Sequence, residues 1–188
     1  MANIIGKVSR NTENQHQEPL KYFREQLKIF PWLKTTSLTH KVLSMEIAAI
    51  SAAPISTFKS SKNEFFFVIG NMNPELEEHK SQAEYLSDSY NVNGKKAFKA
   101  NGDFYLAGAS FSNGALMLCT DTLGIFPLYY TIQHNDFYFS TTANLLNKCR
   151  TASQGINTEG LVGILLTMGI GGEQTIWNDV YRAKAGHL

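Results

Sequence analysis

The chain has only two cysteines, Cys119 and Cys149. Two cannot form a disulfide framework, and both are read as reduced, partly buried thiols. Net charge is also scarce: 17 Lys and Arg against 16 Asp and Glu leave +1, with the lysines scattered along the sequence. That removes the electrostatic footprint of a nucleic-acid binder. Long apolar runs are missing. The longest, Leu161 to Ile170, is broken by Gly163, Thr167 and Gly169, well short of the roughly 20 residues a spanning helix needs, so no membrane association is expected. At the N-terminus Ile4 and Ile5 give way at once to Gly6, Lys7 and a polar stretch. A secretory signal would need an apolar core there, so a cytoplasmic location is expected.

Several chemical signatures are absent too. His16, His40, His79, His134 and His187 lie far apart, and none pairs with a Cys or another His at ligand spacing. No G-x-S-x-G elbow or S-x-x-K anchors serine-type acyl transfer. Gly169-Ile170-Gly171-Gly172 follows a helical pattern rather than opening one and lacks a Lys-Ser/Thr after it, so it reads as a helix-ending turn instead of a phosphate loop. Cys119 sits in the apolar run Met117-Leu118-Cys119 with no basic neighbour in sequence to lower its pKa, and reads as core packing. No linker, repeat or low-complexity tract divides residues 1–188, which are read as a single domain.

What the chain does have is 43% hydrophobic residues with 12 Phe and 8 Tyr, enough for a packed interior. Asn3 to Val8 reads as a strand. Leu20, Phe23, Leu27 and Phe30 recur at helical spacing, predicting a helix that packs one face on a sheet and ends at Pro31. Lys41 to Ile50 suits either a strand or a helix. Glu64 to Ile69, with Phe65, Phe66 and Phe67, predicts a strand buried on both faces and stopping at Gly70-Asn71. Pro74 to Tyr90 has helical composition up to the Asn91–Gly94 turn. From Gly102 onward short strands follow, Asp103 to Ala109, Ala115 to Thr120, Leu128 to Gln133 and Phe137 to Ser140. Turns at Ser112-Asn113-Gly114 and His134-Asn135-Asp136 make them an antiparallel meander. Asn157 caps a helix from Thr158 to Met168 that Gly169 ends. The fold class is α+β, sheets covered by helices.

The segment Asp121-Thr122-Leu123-Gly124-Ile125-Phe126-Pro127-Leu128-Tyr129-Tyr130 is a turn held by Gly124, with Pro127 entering an aromatic-rich strand. Together with Gly102-Asp103-Phe104-Tyr105-Leu106-Ala107 before it, it resembles the D-x-L-G-x-x-P-L-Y-Y hairpin and G-x-F-x-x-A strand of the N-terminal class II glutamine amidotransferase domain of the asparagine synthetase family. The collinear resemblance runs from Met1-Ala2-Asn3-Ile4-Ile5-Gly6 to Thr175-Ile176-Trp177 and Val180-Tyr181-Arg182. It implies a four-layer αββα sandwich of two antiparallel sheets, the Ntn-hydrolase-like fold.

In that family a Cys exposed by removal of Met1 attacks the glutamine amide, with its own α-amine as base. Position 2 here is Ala2, whose methyl group cannot attack a carbonyl. An Asn-Gly pair after the central strand supplies the oxyanion donors, each worth roughly 3 to 4 kcal/mol; this chain reads Gly70-Asn71-Met72-Asn73, the pair reversed and the next Glu replaced by Met72. An Arg grips the glutamine α-carboxylate. No Arg occurs between Arg24 and Arg150, the corresponding segment being Glu46-Ile47-Ala48-Ala49-Ile50, and Thr120 replaces the Arg before the hairpin Asp. Ala2, Gly70 and Asn71 are therefore degenerate site positions, and no residue is expected to be catalytic.

Similar loss occurs in relatives that join an amine already present in their substrate, such as β-lactam synthetases and lasso-peptide cyclases. The resemblance then implies a partner: a C-terminal or separate synthetase domain that binds ATP and Mg through a Ser-Gly-Gly-x-Asp-Ser loop. This chain lacks that loop, so it is expected to hold no cofactor itself and to be one half of a longer or split protein; a homodimer is a further expectation. Two rival readings stand beside this one. One is the glutaminase domain of a glutamine-dependent relative inactivated by an engineered Ala2; the other is an unrelated binding module whose aromatic hairpin is only core.

Overall fold

Ile4 and Ile5 are adjacent in sequence and both fully buried, which in a strand requires cover on both faces. Strand β1 (Asn3–Val8) accordingly lies inside a sheet, antiparallel to β3 (Leu43–Ala49) on one side and β9 (Asp136–Ser140) on the other. The structure is a computed structural model that describes residues 3–9, 18–27, 30–50, 54–73, 80–99, 102, 104–148, 155–167 and 172–186. By their contacts the residues form two compact units, 1–51 with 127–184 and 52–126 with 185–188.

In the first unit β2 (Lys34–His40), β8 (Tyr129–Gln133) and β10 (Tyr181–Arg182) complete a six-stranded sheet ordered β10-β8-β9-β1-β3-β2. Gly6 faces Phe139 across the β1–β9 ladder, and a Cβ there would run into the Phe139 ring. Helix α1 (Glu18–Leu27) buries Leu20 and Phe23 against Ile5 and Ala48.

The second unit holds a four-stranded sheet, β4 (Ile55–Lys59), β5 (Phe65–Asn71), β6 (Phe104–Ser110) and β7 (Leu116–Thr120), in that spatial order. Helix α2 (Gln82–Asn93) and a 3-10 helix (Gly94–Phe98) pack on it through Ala83, Leu86 and Phe98. Ser81 caps α2 by accepting from the Glu84 N–H at 3.2 Å, and Ser56 of β4 accepts from the Ala83 N–H at 3.0 Å. Two further helices, α3 (Ala143–Lys148) and α4 (Thr158–Thr167), belong to the first unit, where Asn157 caps α4 through the Gly160 N–H at 3.2 Å as its sequence predicts.

The α+β class with two antiparallel sheets is as expected, while several elements differ. The described part of the first helix is Glu18–Leu27, with residues 28 and 29 outside the described residues; Phe30, expected on its packed face, is exposed, and Pro31 lies in a turn. Lys41 to Ile50 is a hairpin turn and strand. Gly70 and Asn71 are the last two residues of β5, paired with Tyr105 and Phe104, so the strand stops at the expected pair but includes it. The second helix begins at Gln82; residues 74–79 of its expected span lie outside the described residues, as do Met168 and Gly169.

The expected single meander is two hairpins in different sheets. β6 and β7 pair in the second unit, and β8 and β9 pair in the first. The segment between them is pinned into a turn of its own rather than a hairpin, so β7 and β8 do not pair. At the tip of the second hairpin His134 and Asn135 both have positive φ, 49° and 67°, and Asp136 already belongs to β9. Strands β2, β4 and β10 and helix α3 have no counterpart in the sequence pattern, because they carry little apolar periodicity.

Candidate functional site

Position 2, where the resemblance would put the nucleophile, lies outside the described residues. The strand that follows it is clasped at its start. The Ile4 N–H donates to Thr141 Oγ1 at 3.0 Å, Ser140 Oγ donates to the Ile4 carbonyl at 2.6 Å, and the Thr142 N–H donates back to Ser140 Oγ at 3.1 Å. Farther along, Lys7 Nζ sits 2.7 Å from Asp136 Oδ2. Burial pushes the Asp136 carboxyl up, but hydrogen bonds from Lys7, Ser9 and Tyr138 outweigh it and hold the group below its ordinary value.

The segment expected to carry the carboxylate-gripping Arg instead places Glu46 in the middle of β3, opposite Ile5 of β1 and Ser37 of β2. Its side chain is 2% exposed. A carboxylate this buried needs partners, and it has two: the Arg24 guanidinium from α1, and Ser37 Oγ, which donates at 2.8 Å. The hydrogen bond to Glu46 raises the Arg24 pKa further above its ordinary value. Arg24, the last Arg before the gap in sequence, is thus committed to Glu46. The sequence pattern does not announce this cluster, although a lone acid inside the apolar run Leu43 to Ile50 is a signal for it.

In the second unit, Gly70 has φ 99° and its N–H donates to the Pro54 carbonyl at 2.8 Å. Asn71 Oδ1 accepts from Gln82 Nε2 at 3.0 Å; the same amide of Gln82 also donates to the Asn73 carbonyl and accepts from the Asn73 N–H, both at 2.8 Å. Met72 turns inward and is fully buried in a cluster with Phe66, Val68, Leu86, Phe98 and Tyr105. Its carbonyl accepts from the Gly102 N–H at 2.9 Å, and a Cβ on Gly102 would run into the Asn71 carbonyl oxygen. The glycine that opens the G-x-F-x-x-A strand is there because the backbones approach that closely.

Asp121, the first residue of the hairpin signature, is fully buried. Its carboxylate accepts from the Ile125 N–H at 2.9 Å and the Phe126 N–H at 2.8 Å, while its carbonyl accepts from the Gly124 and Gly186 N–H groups, both at 3.0 Å. Gly124 takes φ 65° to let the chain turn. Thr120 beside it is buried at the end of β7 and offers no cation.

Cys119 is buried, and its thiol lies within reach of the Phe98 carbonyl at 3.6 Å and the Thr120 carbonyl at 3.3 Å. Burial, then the charge of Asp121, pushes the thiol up to about 11 against a small opposing effect of Lys99. A thiol that titrates so high holds roughly 100-fold less thiolate at pH 8 than an ordinary one, so its reaction with iodoacetamide should be slowed in about that proportion. Peptide mapping, which separates Cys119 from Cys149, should find Cys119 unlabelled until the chain is unfolded.

Among the described residues no group of three or more His, Cys, Asp and Glu could hold a metal ion, and no helix is long and apolar enough to cross a membrane. Of the positions singled out by the resemblance, the structure places Gly70 and Asn71 side by side in β5, each with hydrogen-bonding groups engaged by neighbours. A family model described as a glutamine amidotransferase domain matches residues 71–188. No curated protein matches the chain.

Proposed function

Since the chain belongs to the glutamine amidotransferase domain family, we propose that it is a member related to the asparagine synthetases that has lost glutaminase activity and serves as a scaffold for an ATP-dependent, adenylating amide-forming domain. The observation that carries this reading is Ala2: its side chain offers no lone pair with which to open a glutamine amide. Three features support it. The Gly70 N–H is committed to the Pro54 carbonyl, so it does not point an unsatisfied donor at a developing oxyanion. Met72 fills the apolar cluster where the family's Glu would need a polar setting. Glu46 puts a negative charge, already answered by Arg24 and Ser37, in the segment that should answer the α-carboxylate of glutamine.

On this reading ATP and Mg belong to the partner domain, which activates a carboxylate and joins it to an amine already in the substrate, so ammonia from glutamine is not needed. Incubated with glutamine, the purified chain should release no glutamate above a buffer blank; turnover would end the proposal. Ala2→Cys should not restore release, because a thiol alone leaves the oxyanion donors and the carboxylate grip missing. Glutaminase activity in that variant would instead identify Ala2 as an isolated inactivating change in a working domain.

A further inference from the structure

β2 is the outer strand of the six-stranded sheet and pairs with β3 along all 7 residues, from Lys34 opposite Ala49 to His40 opposite Leu43. Natural edge strands discourage pairing with other chains by being short or bulged, or by carrying proline or several charges. Among the described residues β2 shows no bulge and no proline, and carries a single lysine. Its sequence Lys-Thr-Thr-Ser-Leu-Thr-His has an unbroken register and one formal charge, at its first residue. Lys34, Thr35, Thr36, Ser37 and Thr39 are exposed. The other outer strands are shorter, 2 residues in β10 and 5 each in β4 and β7. Just ahead of β2, Phe30 and Trp32 form an edge-to-face pair on the surface, with Trp32 64% exposed.

We propose that β2 pairs antiparallel with β2 of a second copy of this chain, centred on Ser37, so that two six-stranded sheets become one. The register follows from symmetry. Hydrogen-bonded and non-hydrogen-bonded pairs alternate along an antiparallel ladder, so a two-fold axis through it must place some residue opposite its own copy. Ser37 is the midpoint of β2, and centring there engages every residue of the strand. Thr35 then faces Thr39 of the second copy, Thr36 faces Leu38, and Lys34 faces His40, with no pair of like formal charges opposed. The same register carries Trp32 to the Lys41–Val42 turn of the second copy, where apolar surface is covered and the Lys41 ammonium can lie over the indole.

Sedimentation equilibrium over a range of concentrations tests this. The mass should rise from 21.0 kDa toward twice that value as concentration increases. Thr35→Lys with Thr39→Lys sets like charges opposite one another at two symmetric pairs and should weaken association about tenfold. Thr35→Lys with Thr39→Glu sets opposite charges there and should restore it. Both positions are exposed, so an unchanged far-ultraviolet spectrum is expected from either variant. A chain that stays monomeric at every concentration, or a dimer indifferent to the paired lysines, overturns the proposal; failure of the Lys/Glu variant to associate overturns the register.

Discussion

Met72→Glu is expected to destabilise the chain by about 3–4 kcal/mol at pH 7 relative to pH 4: a fully buried carboxyl titrates roughly 3–5 pH units above its ordinary value of about 4.3, so at pH 7 the penalty is limited to about 1.36 kcal/mol for each pH unit between about 4.3 and 7. Met72 is fully buried among apolar side chains, and an ionised group introduced there has no partner in that cluster. Since a domain of this size holds roughly 5–15 kcal/mol in all, the variant should lose a large part of its stability at neutral pH. The sign of its pH dependence is fixed. The carboxyl would titrate higher in the folded state than in the unfolded chain, so the charge penalty is absent below about pH 4 and grows as pH rises toward the folded value. Met72→Leu, which keeps volume and polarity, should cost less than about 1.5 kcal/mol. Urea midpoints of both variants at pH 4 and pH 7 check this. A Met72→Glu chain as stable as the parent at pH 7 would remove one support of the lost-glutaminase reading, since the family's Glu could then be accommodated.

Asp121→Ala is expected to cost about 3–5 kcal/mol. The carboxylate answers two backbone N–H groups, those of Ile125 and Phe126. Hydrogen bonds to a charged group are worth about 1.5–3 kcal/mol each, and an N–H left buried without an acceptor carries its desolvation cost besides. At about 2–4 °C per kcal/mol for a chain of this length, the melting temperature should fall by roughly 6–20 °C in scanning calorimetry. Asp121→Asn retains one acceptor oxygen and should lose only part of that. A loss below about 1 kcal/mol in the alanine variant would mean that the signature aspartate is not what folds the turn.

Much of this could be read in the sequence wherever the cause is local. The Leu20 and Phe23 face of α1, the buried run Phe66 to Ile69, the Asn157 cap and the tip of the β8–β9 hairpin all follow from spacing and turn chemistry within a few residues. The failures share a different origin. β2 is a polar edge strand without alternation, and its existence is due to β3. The division of the later strands between two sheets is decided by pairings such as Ile5 with Ser140, which no window of neighbouring residues contains. The site divides in the same way. That Ala2 lacks a nucleophile and that Gly70 and Asn71 are reversed is written in the residues themselves. That Arg24 is taken up by Glu46, or that Met72 points into a core rather than toward a substrate, depends on where distant segments of the chain arrive.

The order of synthesis inherits a constraint from the position of β1. Every strand of the four-stranded sheet lies within residues 52–126 and is complete once that stretch has left the ribosome. β1, however, needs β9 for its second ladder. Until residue 140 is made, β1 presents Ile4 and Ile5 beside an open edge. The nascent chain therefore carries an open strand edge until residue 140 has emerged, and the long sequence separation of the β1–β9 ladder is expected to make the larger sheet close more slowly than the smaller one.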